Sequence, residues 1–472
     1  MSTRKNAAYN VAYRVFSILL PLVTAPYLDR VVGKDGVGLY SGAWAWSEIF
    51  CLIGMLGLAD YGVRTIAQVR DDRERLDRTF SGIWQMQLMV ASITLLFWFG
   101  YVFLIAGEEK TIALHMTMMS VSCLCNFEWC LMGLDQFKSI ALRNTFVKLA
   151  AAVSAFIFVK SIDDLWIYGF VWSLATLLGN LSCAVTLKGK VSYHRVPMKE
   201  TLKHLRPCAV LFISVAAMSV YRRMDKIMVL NIAGKDENGL YESAEKIIYC
   251  LSGFISAIGT VMMSKVSNLQ EKGETEKIAR NIDKSMNLII CMVSAMAFGL
   301  AAVAERFAPL FYEKAAASGK LMIPLSFTLI MIGFANVIRT QAVLPQKRDH
   351  IFVKSVCCGA AVNLIVNACL IPSMKSMGAV VGTLAAEMTV PVVQFIILRK
   401  ELPYKRFMGY VLTYAVIGGI MMACVRLTAS LLPVNNWVNL GIMTFTGVVV
   451  YVALCLAWWK VNGNTGFIIH NS

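Results

Sequence analysis

Apolar runs about 20 residues long recur from one end of the chain to the other, separated by short polar connections. A helix needs about 20 mainly apolar residues to cross the hydrocarbon core of a bilayer. Runs of this length are too long for single buried strands and favour helices. The pattern predicts fourteen membrane-spanning helices. Their expected ranges are 7–26, 38–60, 80–105, 111–133, 141–159, 165–187, 207–232, 239–263, 286–304, 320–343, 352–372, 378–398, 408–432 and 438–459.

The composition agrees with this pattern. The 472 residues are 57% hydrophobic and 16% charged, whereas a soluble globular domain is about 25% charged. Loops of about 20 residues are the longest polar connections, which leaves no room for a separate soluble catalytic domain. The glycine loop GxxxxGK[ST] that holds nucleotide phosphates is not in the sequence. We therefore expect an all-α polytopic membrane protein that is not an enzyme and carries no cofactor.

Lysine and arginine are distributed unevenly among the connections. Counted with the two termini, the even-numbered connections carry about 28 of these residues and the odd-numbered ones about 9; basic residues accumulate on the cytoplasmic side of membrane proteins. We expect both termini to be cytoplasmic and the chain to lie in the cell (cytoplasmic) membrane. The net charge of +16 then reflects topology and attraction to anionic membrane lipids. Nucleic acid is not an expected partner.

One polar octet occurs twice. Residues 33–40 read GKDGVGLY and residues 234–241 read GKDENGLY, so six of eight letters repeat at an offset of 201 residues. Locally, the octet is typical of a hairpin turn, because glycine tolerates positive φ. Each copy closes the first helical hairpin of a set of six spans, and an even number of spans gives both sets the same orientation. This indicates a parallel repeat of the kind found in two-lobed transporters.

The repeat predicts the domain organisation. We expect a six-helix lobe at 1–190, a cytoplasmic linker at 191–206, a second six-helix lobe at 207–400, and an extra helix pair with a short tail at 401–472. The linker should hold a short amphipathic helix near 198–205 on the membrane surface, with Leu202 and Leu205 toward lipid and basic side chains toward anionic headgroups.

Several polar and ionisable residues lie inside the predicted spans. An ionisable side chain at mid-bilayer costs about 2.5–3.5 kcal/mol on insertion scales, so each needs a partner or a wet cavity. Two interpretations remain open: internal ion pairs between helices, or a polar cavity between the lobes. A surplus of cations suits an anionic ligand such as a pyrophosphate. The candidate binding residues are Asn10, Tyr13, Arg14, Arg222, Asp225, Lys226, Glu245, Lys246, Arg339 and Glu387.

Four stretches carry a resemblance to a known family. They are NAAYNVAYRVFSILLPLVTAPYLDRVVGKDGVGLYSGAWAWSEIF, LADYGVRTIAQVRDDRERLDRTFSGIW, FEWCLMGLDQFKSIALRN and VYRRMDKIMVLNIAGKDENGLYESAEKI. Together they resemble bacterial polysaccharide repeat-unit flippases (O-antigen, capsule and exopolysaccharide transporters) of the multidrug/oligosaccharidyl-lipid/polysaccharide superfamily. Met132 and Asp135 stand where that family usually has Gln and Glu. The resemblance extends to about residue 400 and is most specific before residue 145.

The resemblance implies a V-shaped bundle of two six-helix lobes around a central cavity, with two additional C-terminal helices. It also implies a substrate, an undecaprenyl-pyrophosphate-linked oligosaccharide that moves from the inner to the outer leaflet by alternating access. The expected partners are this substrate, anionic lipids and, as a further candidate, the polysaccharide polymerase machinery. Two alternatives remain: a multidrug or lipid II exporter of the same superfamily, and a membrane polysaccharide polymerase or ligase.

Overall fold

The computed structural model describes residues 3–461; for 3–19, 137–138, 141, 213–215, 217–218, 220–222, 264 and 271 it describes the backbone alone. The described chain is all-helical. Its α-helices are α1 (Thr3–Met55), α2 (Leu58–Val69), α3 (Arg73–Leu104), α4 (Lys110–His115), α5 (Thr117–Ser122), α6 (Glu128–Gly133), α7 (Phe137–Phe158), α8 (Leu165–Leu187), α9 (Met198–Lys203), α10 (Leu205–Ala233), α11 (Lys235–Glu271), α12 (Thr275–Phe311), α13 (Ser318–Ser326), α14 (Thr328–Ile338), α15 (Asp349–Met374), α16 (Ser376–Leu398), α17 (Tyr404–Leu431) and α18 (Trp437–Val461).

All fourteen predicted spans fall on helical segments. Ten stretches of the described residues are long and apolar enough to cross a membrane. One of these stretches, Leu20–Val69, contains the end of the first predicted span (7–26) and the whole of the second (38–60). The segment predicted at 111–133 is divided among α4, α5, a 3-10 turn and α6, each of them short. The all-helical membrane class is therefore confirmed, while the count of fourteen spans stays a prediction.

Two glycines make the turns that the repeated octets predicted. α1 is helical through Pro21 and Pro26 and breaks at Gly33, which has φ 72° and ψ 177°. Gly234, 201 residues later, separates α10 from α11 with φ 95° and ψ 172°. Positive φ with extended ψ is accessible essentially to glycine alone. The first letter of each octet is thus the hinge between two long helices.

Contacts divide the chain into two compact units, Met1–Glu242 and Ser243–Ser472. The first unit has apolar cores in which two fully buried tryptophans, Trp98 and Trp129, have hydrogen-bond acceptors for their N–H groups. Trp98 donates to the Thr117 hydroxyl at 3.0 Å, and Trp129 donates to Gln87 Oε1 at 3.0 Å. Buried donors without partners are costly, so these bonds fix the orientation of the two largest core side chains.

The linker at 191–206 is bound to the start of α3. The backbone N–H of Ser192 donates to Asp77 Oδ1 at 2.8 Å, and that of His194 donates to the Ser81 hydroxyl at 2.9 Å. α9 forms near the predicted position, after Pro197. Leu202 is exposed, as expected for a lipid-facing side chain. Leu205 instead packs against an apolar core of the first unit, so its predicted lipid contact is wrong.

In the second unit, polar bonds tie the last two helices to α12. Tyr414 of α17 donates to Asn287 Oδ1 at 2.8 Å. Trp459 of α18 donates to the Tyr414 hydroxyl at 3.0 Å, and Tyr451 donates to the Cys291 carbonyl at 2.7 Å. Interhelical hydrogen bonds are a common means of joining helices in an apolar medium. The extra helix pair is thus attached to α12.

The unit boundary lies inside α11, later than the linker at which the sequence divides the repeats. α10 and residues 235–242, which begin the predicted second lobe, pack on α1 and are grouped with the first unit for that reason. Grouping by contact does not test a sequence repeat. The predicted lobes therefore stay a prediction.

Candidate functional site

The two octets lie against each other at the beginning of α11 and the second half of α1. A Cβ atom added to Gly38 would overlap the carbonyl oxygen of Lys235, and one added to Gly239 would overlap that of Lys34. The two contacts are related by the same 201-residue offset as the sequence repeat. Only glycine permits so close a backbone approach between helices. The repeated glycines therefore form a reciprocal contact, which we call the octet contact.

Polar groups surround the octet contact. Asn238 donates its side-chain amide to the Gly38 carbonyl at 2.7 Å and is fully buried. Lys34 pairs with Asp236 at 3.1 Å, and Lys235 pairs with Glu108 at 2.5 Å. Both ion pairs are partly exposed, and such pairs contribute only about 0–1 kcal/mol each. The buried amide and the glycine packing therefore contribute more to this contact than the lysines.

A buried ionic network lies further along the same helices. Glu242 accepts from the Ser41 hydroxyl at 2.9 Å and pairs with Lys226 at 2.6 Å, through the same carboxylate oxygen. Ser41 and Glu242 again stand 201 residues apart. Tyr241 donates to the Asp225 carboxylate at 2.9 Å. Two predicted site residues, Asp225 and Lys226, are thus brought together with partners from α1 and α11.

A second ion pair joins α10 to α1. Arg223 donates from Nε to Glu48 Oε2 at 2.6 Å, and both side chains are about one-quarter exposed. Glu48 is not among the candidate residues predicted from the sequence. The charges of Arg223 and Lys226 are therefore each opposed by a carboxylate in this structure. An anionic ligand that used them would have to exchange with Glu48 or Glu242.

Four predicted site residues lie in the second unit. Glu245 and Lys246 follow one another on α11 and are half-buried. Arg339 lies in a π-helical turn, Arg339–Val343, at the end of α14, with its guanidinium 5.0 Å from the ring centroid of Phe352. Glu387 is half-buried in the middle of α16.

The side chains of the remaining predicted site residues lie outside the described part of the structure. These residues are Asn10, Tyr13, Arg14 and Arg222. Whether they approach Asp225 and Lys226 stays a prediction. Three partners in these networks were not predicted as binding residues: Ser41, Glu48 and Tyr241. The sequence held a signal for Ser41, which stands 201 residues before Glu242, the offset of the repeated octets.

Outside the membrane-spanning stretches, two groups of the linker have shifted pKa values. The hydrogen bonds from the Arg78 guanidinium to Glu200 hold the pKa of that carboxyl below its usual value. Burial lowers the pKa of His204, whose Nδ1 lies 2.7 Å from the Tyr61 hydroxyl. A neutral imidazole is therefore favoured at this point of the linker.

The fold is shared with solved membrane transporters. A structure of the lipid II flippase MurJ, in its inward closed conformation, superposes with a TM-score of 0.79 over 97% of this chain and 99% of that one, at 16% identity. A multidrug resistance MATE family transporter of the MOP superfamily, inward-facing, superposes with a TM-score of 0.54 over 87% of this chain and 96% of that one, at 14% identity. The chain therefore shares its fold with these transporters.

Sequence comparison is more specific. The chain belongs to the polysaccharide biosynthesis protein family, which it matches over residues 3–270. Two relatives carry the name "Putative O-antigen transporter". The protein of Escherichia coli (strain K12) is 23% identical over 417 residues, which cover 85% of this chain and 98% of the relative. That of Shigella dysenteriae is 21% identical over 379 residues, covering 79% and 94%. The resemblance found in the sequence is confirmed.

Proposed function

We propose that the protein is a flippase that moves undecaprenyl-pyrophosphate-linked oligosaccharide repeat units from the inner to the outer leaflet of the cell membrane. The family match over residues 3–270 carries the proposal. The fold, shared with MOP transporters along almost the whole chain, supports a non-enzymatic transport role. Both termini would be cytoplasmic, as the charges of the connections indicate. The two lobes would alternate between states open to either side of the membrane.

The proposed pyrophosphate contacts are Arg14, Arg222 and Arg339. Arginine presents a planar fork that binds two phosphate oxygens, whereas lysine offers a point charge. The stacking of Arg339 on Phe352 supports this role, because contact with the ring restricts the orientation of the guanidinium plane. Asp225 and Lys226, with Tyr241 and Glu242, would support the neighbouring cations, and Glu245, Lys246 and Glu387 would line the same path. Asn10 and Tyr13 would contact sugar or phosphate.

Substituting the arginines tests this function. Arg14→Ala or Arg222→Ala should abolish glycan export, with the lipid-linked glycan accumulating on the inner leaflet while the protein stays at its normal level in the membrane. Replacement by Lys should keep part of the activity, since the charge remains and only the fork is lost. The assay follows surface glycan and lipid-linked intermediates in a strain deleted for the gene.

Arg426→Ala is the matched control. This arginine is an exposed residue of α17, and it donates to the Ala301 carbonyl at 3.4 Å, outside the two repeats. Normal export by Arg14→Ala and Arg222→Ala would contradict the site, and so would a defect explained entirely by loss of folded protein. Accumulation of lipid II, rather than of a glycan repeat unit, in the deletion strain would instead favour a lipid II exporter.

A further inference from the structure

A basic cavity opens between the end of α16 and the start of α17, away from the network of α1, α10 and α11. Its volume is about 620 Å³. Phe395, Leu402 and Tyr404 form apolar parts of its wall. Four cations line it as well: Arg399, Lys400, Lys405 and Arg406. The cavity therefore combines an apolar wall with a concentration of positive charge.

The nearby carboxylates are already occupied. Asp283 pairs with Arg406 at 3.0 Å and accepts from the Tyr410 hydroxyl at 3.1 Å. Glu401 pairs with Arg348 at 2.6 Å.

The remaining three cations of the cavity are exposed, and among the residues that the structure describes no hydrogen-bond or ion-pair partner is found for Arg399, Lys400 or Lys405. Their positive charges are thus available to an external anion.

A helix terminus adds to this charge. α17 is 28 residues long and begins at the cavity without a side-chain cap, since Pro403 stands at its N-cap position. The first N–H groups of a helix lack intrahelical acceptors and carry partial positive charge, so they favour anions, phosphate among them. At α17 the N–H groups of Tyr404 and Arg406 already donate to the Leu402 and Pro403 carbonyls. The helix end therefore adds partial positive charge to the three unpaired side-chain cations rather than a set of free donors.

The surroundings are those of a membrane interface. Ile396 and Ile397, on the turn of α16 before the cavity, are 58% and 41% exposed, and Met408 on α17 is 52% exposed. Both helices are apolar enough to cross a membrane, so these side chains face lipid. By the charge rule the connection lies on the cytoplasmic side. A ligand here would meet cations at its head and apolar side chains along its tail.

We propose that this cavity, between Phe395 and Arg406, binds the phosphate headgroup of an anionic phospholipid of the inner leaflet. Basic cavities between helices at the cytoplasmic face are suited to such headgroups. The apolar wall of Phe395 and Leu402 covers the glycerol and the first acyl carbons. This site is independent of the proposed transport function and lies on different helices from the ionic network of the first unit.

Binding of short-chain lipids to the purified full-length protein tests the site. Native mass spectrometry would follow titration with dioctanoyl phosphatidylglycerol, and dioctanoyl phosphatidylcholine would serve as the neutral headgroup. The triple variant Arg399→Gln, Lys400→Gln, Lys405→Gln should bind phosphatidylglycerol about tenfold more weakly or worse, because each basic residue at an anionic surface adds to the affinity. The charge-conserving variant Arg399→Lys, Lys400→Arg, Lys405→Arg should keep the affinity.

The matched control removes the same charge around the connection between α11 and α12. Lys265→Gln, Lys272→Gln, Lys277→Gln changes three exposed lysines there and should leave binding unchanged. An equal loss of phosphatidylglycerol affinity in both triple variants would indicate non-specific attraction and would overturn the proposed site. Unchanged affinity in the cavity triple variant would also overturn it, because the three cations would then not bind the headgroup.

Two further ligands identify the source of the phosphate. Inorganic phosphate at matched concentration should not displace phosphatidylglycerol, because it lacks the acyl contacts. Farnesyl pyrophosphate should not be preferred by the cavity over phosphatidylglycerol. Displacement by phosphate would reduce the cavity to an anion site. A preference for farnesyl pyrophosphate that the triple variant abolishes would assign the cavity to an isoprenoid pyrophosphate. Either result would overturn the phospholipid assignment.

Discussion

At the scale of the residue, the octet contact depends on Gly38 and Gly239, which have a hydrogen atom where other residues carry a side chain. Gly239→Ala would place a methyl group on the Lys34 carbonyl oxygen, and the backbone on either side cannot rotate away as a flexible side chain could. Forced overlap of this kind costs typically about 1–3 kcal/mol. We expect Gly239→Ala to lower the thermal unfolding midpoint of the purified protein and Gly38→Ala to do the same.

Gly100→Ala is the control for this prediction. Gly100 lies inside α3 and has open space around its Cβ position, so alanine there should be neutral or stabilising by up to about 1 kcal/mol through helix propensity. Equal unfolding midpoints for Gly239→Ala and Gly100→Ala would show that the octets do not hold this contact in the purified protein.

At the scale of the element, the linker is bound to α2 and α3 through a histidine that burial keeps neutral. The pKa of His204 is lowered in the folded protein, whereas an unperturbed histidine, as in the unfolded chain, has a pKa of about 6.5. As the pH drops through that value, the unfolded state binds more protons than the folded state, and the stability of the folded protein falls. We expect the unfolding midpoint to fall between about pH 7.5 and pH 5.5. His204→Asn should flatten this part of the pH profile.

His350→Asn serves as the comparison, since His350 is exposed at the start of α15. It should keep the acid sensitivity of the unmodified protein. A pH profile that His204→Asn leaves unchanged would mean that the Tyr61–His204 contact is not the acid-sensitive part of the structure.

The elements also show what a sequence can and cannot predict. All fourteen apolar runs correspond to helical segments, because run length is a property of the local sequence. The division of 111–133 into short helices and the π-turn at Arg339–Val343 were not predicted, since interior breaks depend on tertiary packing. The turn at Gly33 was predicted because its φ and ψ demand glycine. Glu48 was missed as the partner of Arg223, 175 residues away, because side-chain pairing over such distances is set by packing.

At the scale of the whole molecule, the octet contact connects the predicted repeat to the proposed transport. By that prediction, the first octet would belong to the first lobe and the second octet to the second lobe. They touch in the described structure, through the glycines and through Lys34 and Asp236. In alternating access, lobes that touch on one side must separate there to expose the central path. The octets lie on the predicted outer side, so outward opening should break this contact.

Cross-linking the octets tests that step. In a cysteine-depleted protein, Lys34→Cys with Asp236→Cys replaces an ion pair of 3.1 Å. Cross-linking this pair should block glycan export, because the outer ends of the lobes are then held together, and a reductant should restore export. The control is Arg78→Cys with Glu200→Cys, at an ion pair of 2.5 Å between α3 and the linker, where no separation is expected. Export that continues with the octets fully cross-linked would mean that the substrate leaves without this contact opening, and the two-lobe mechanism would then have to place its outer opening elsewhere.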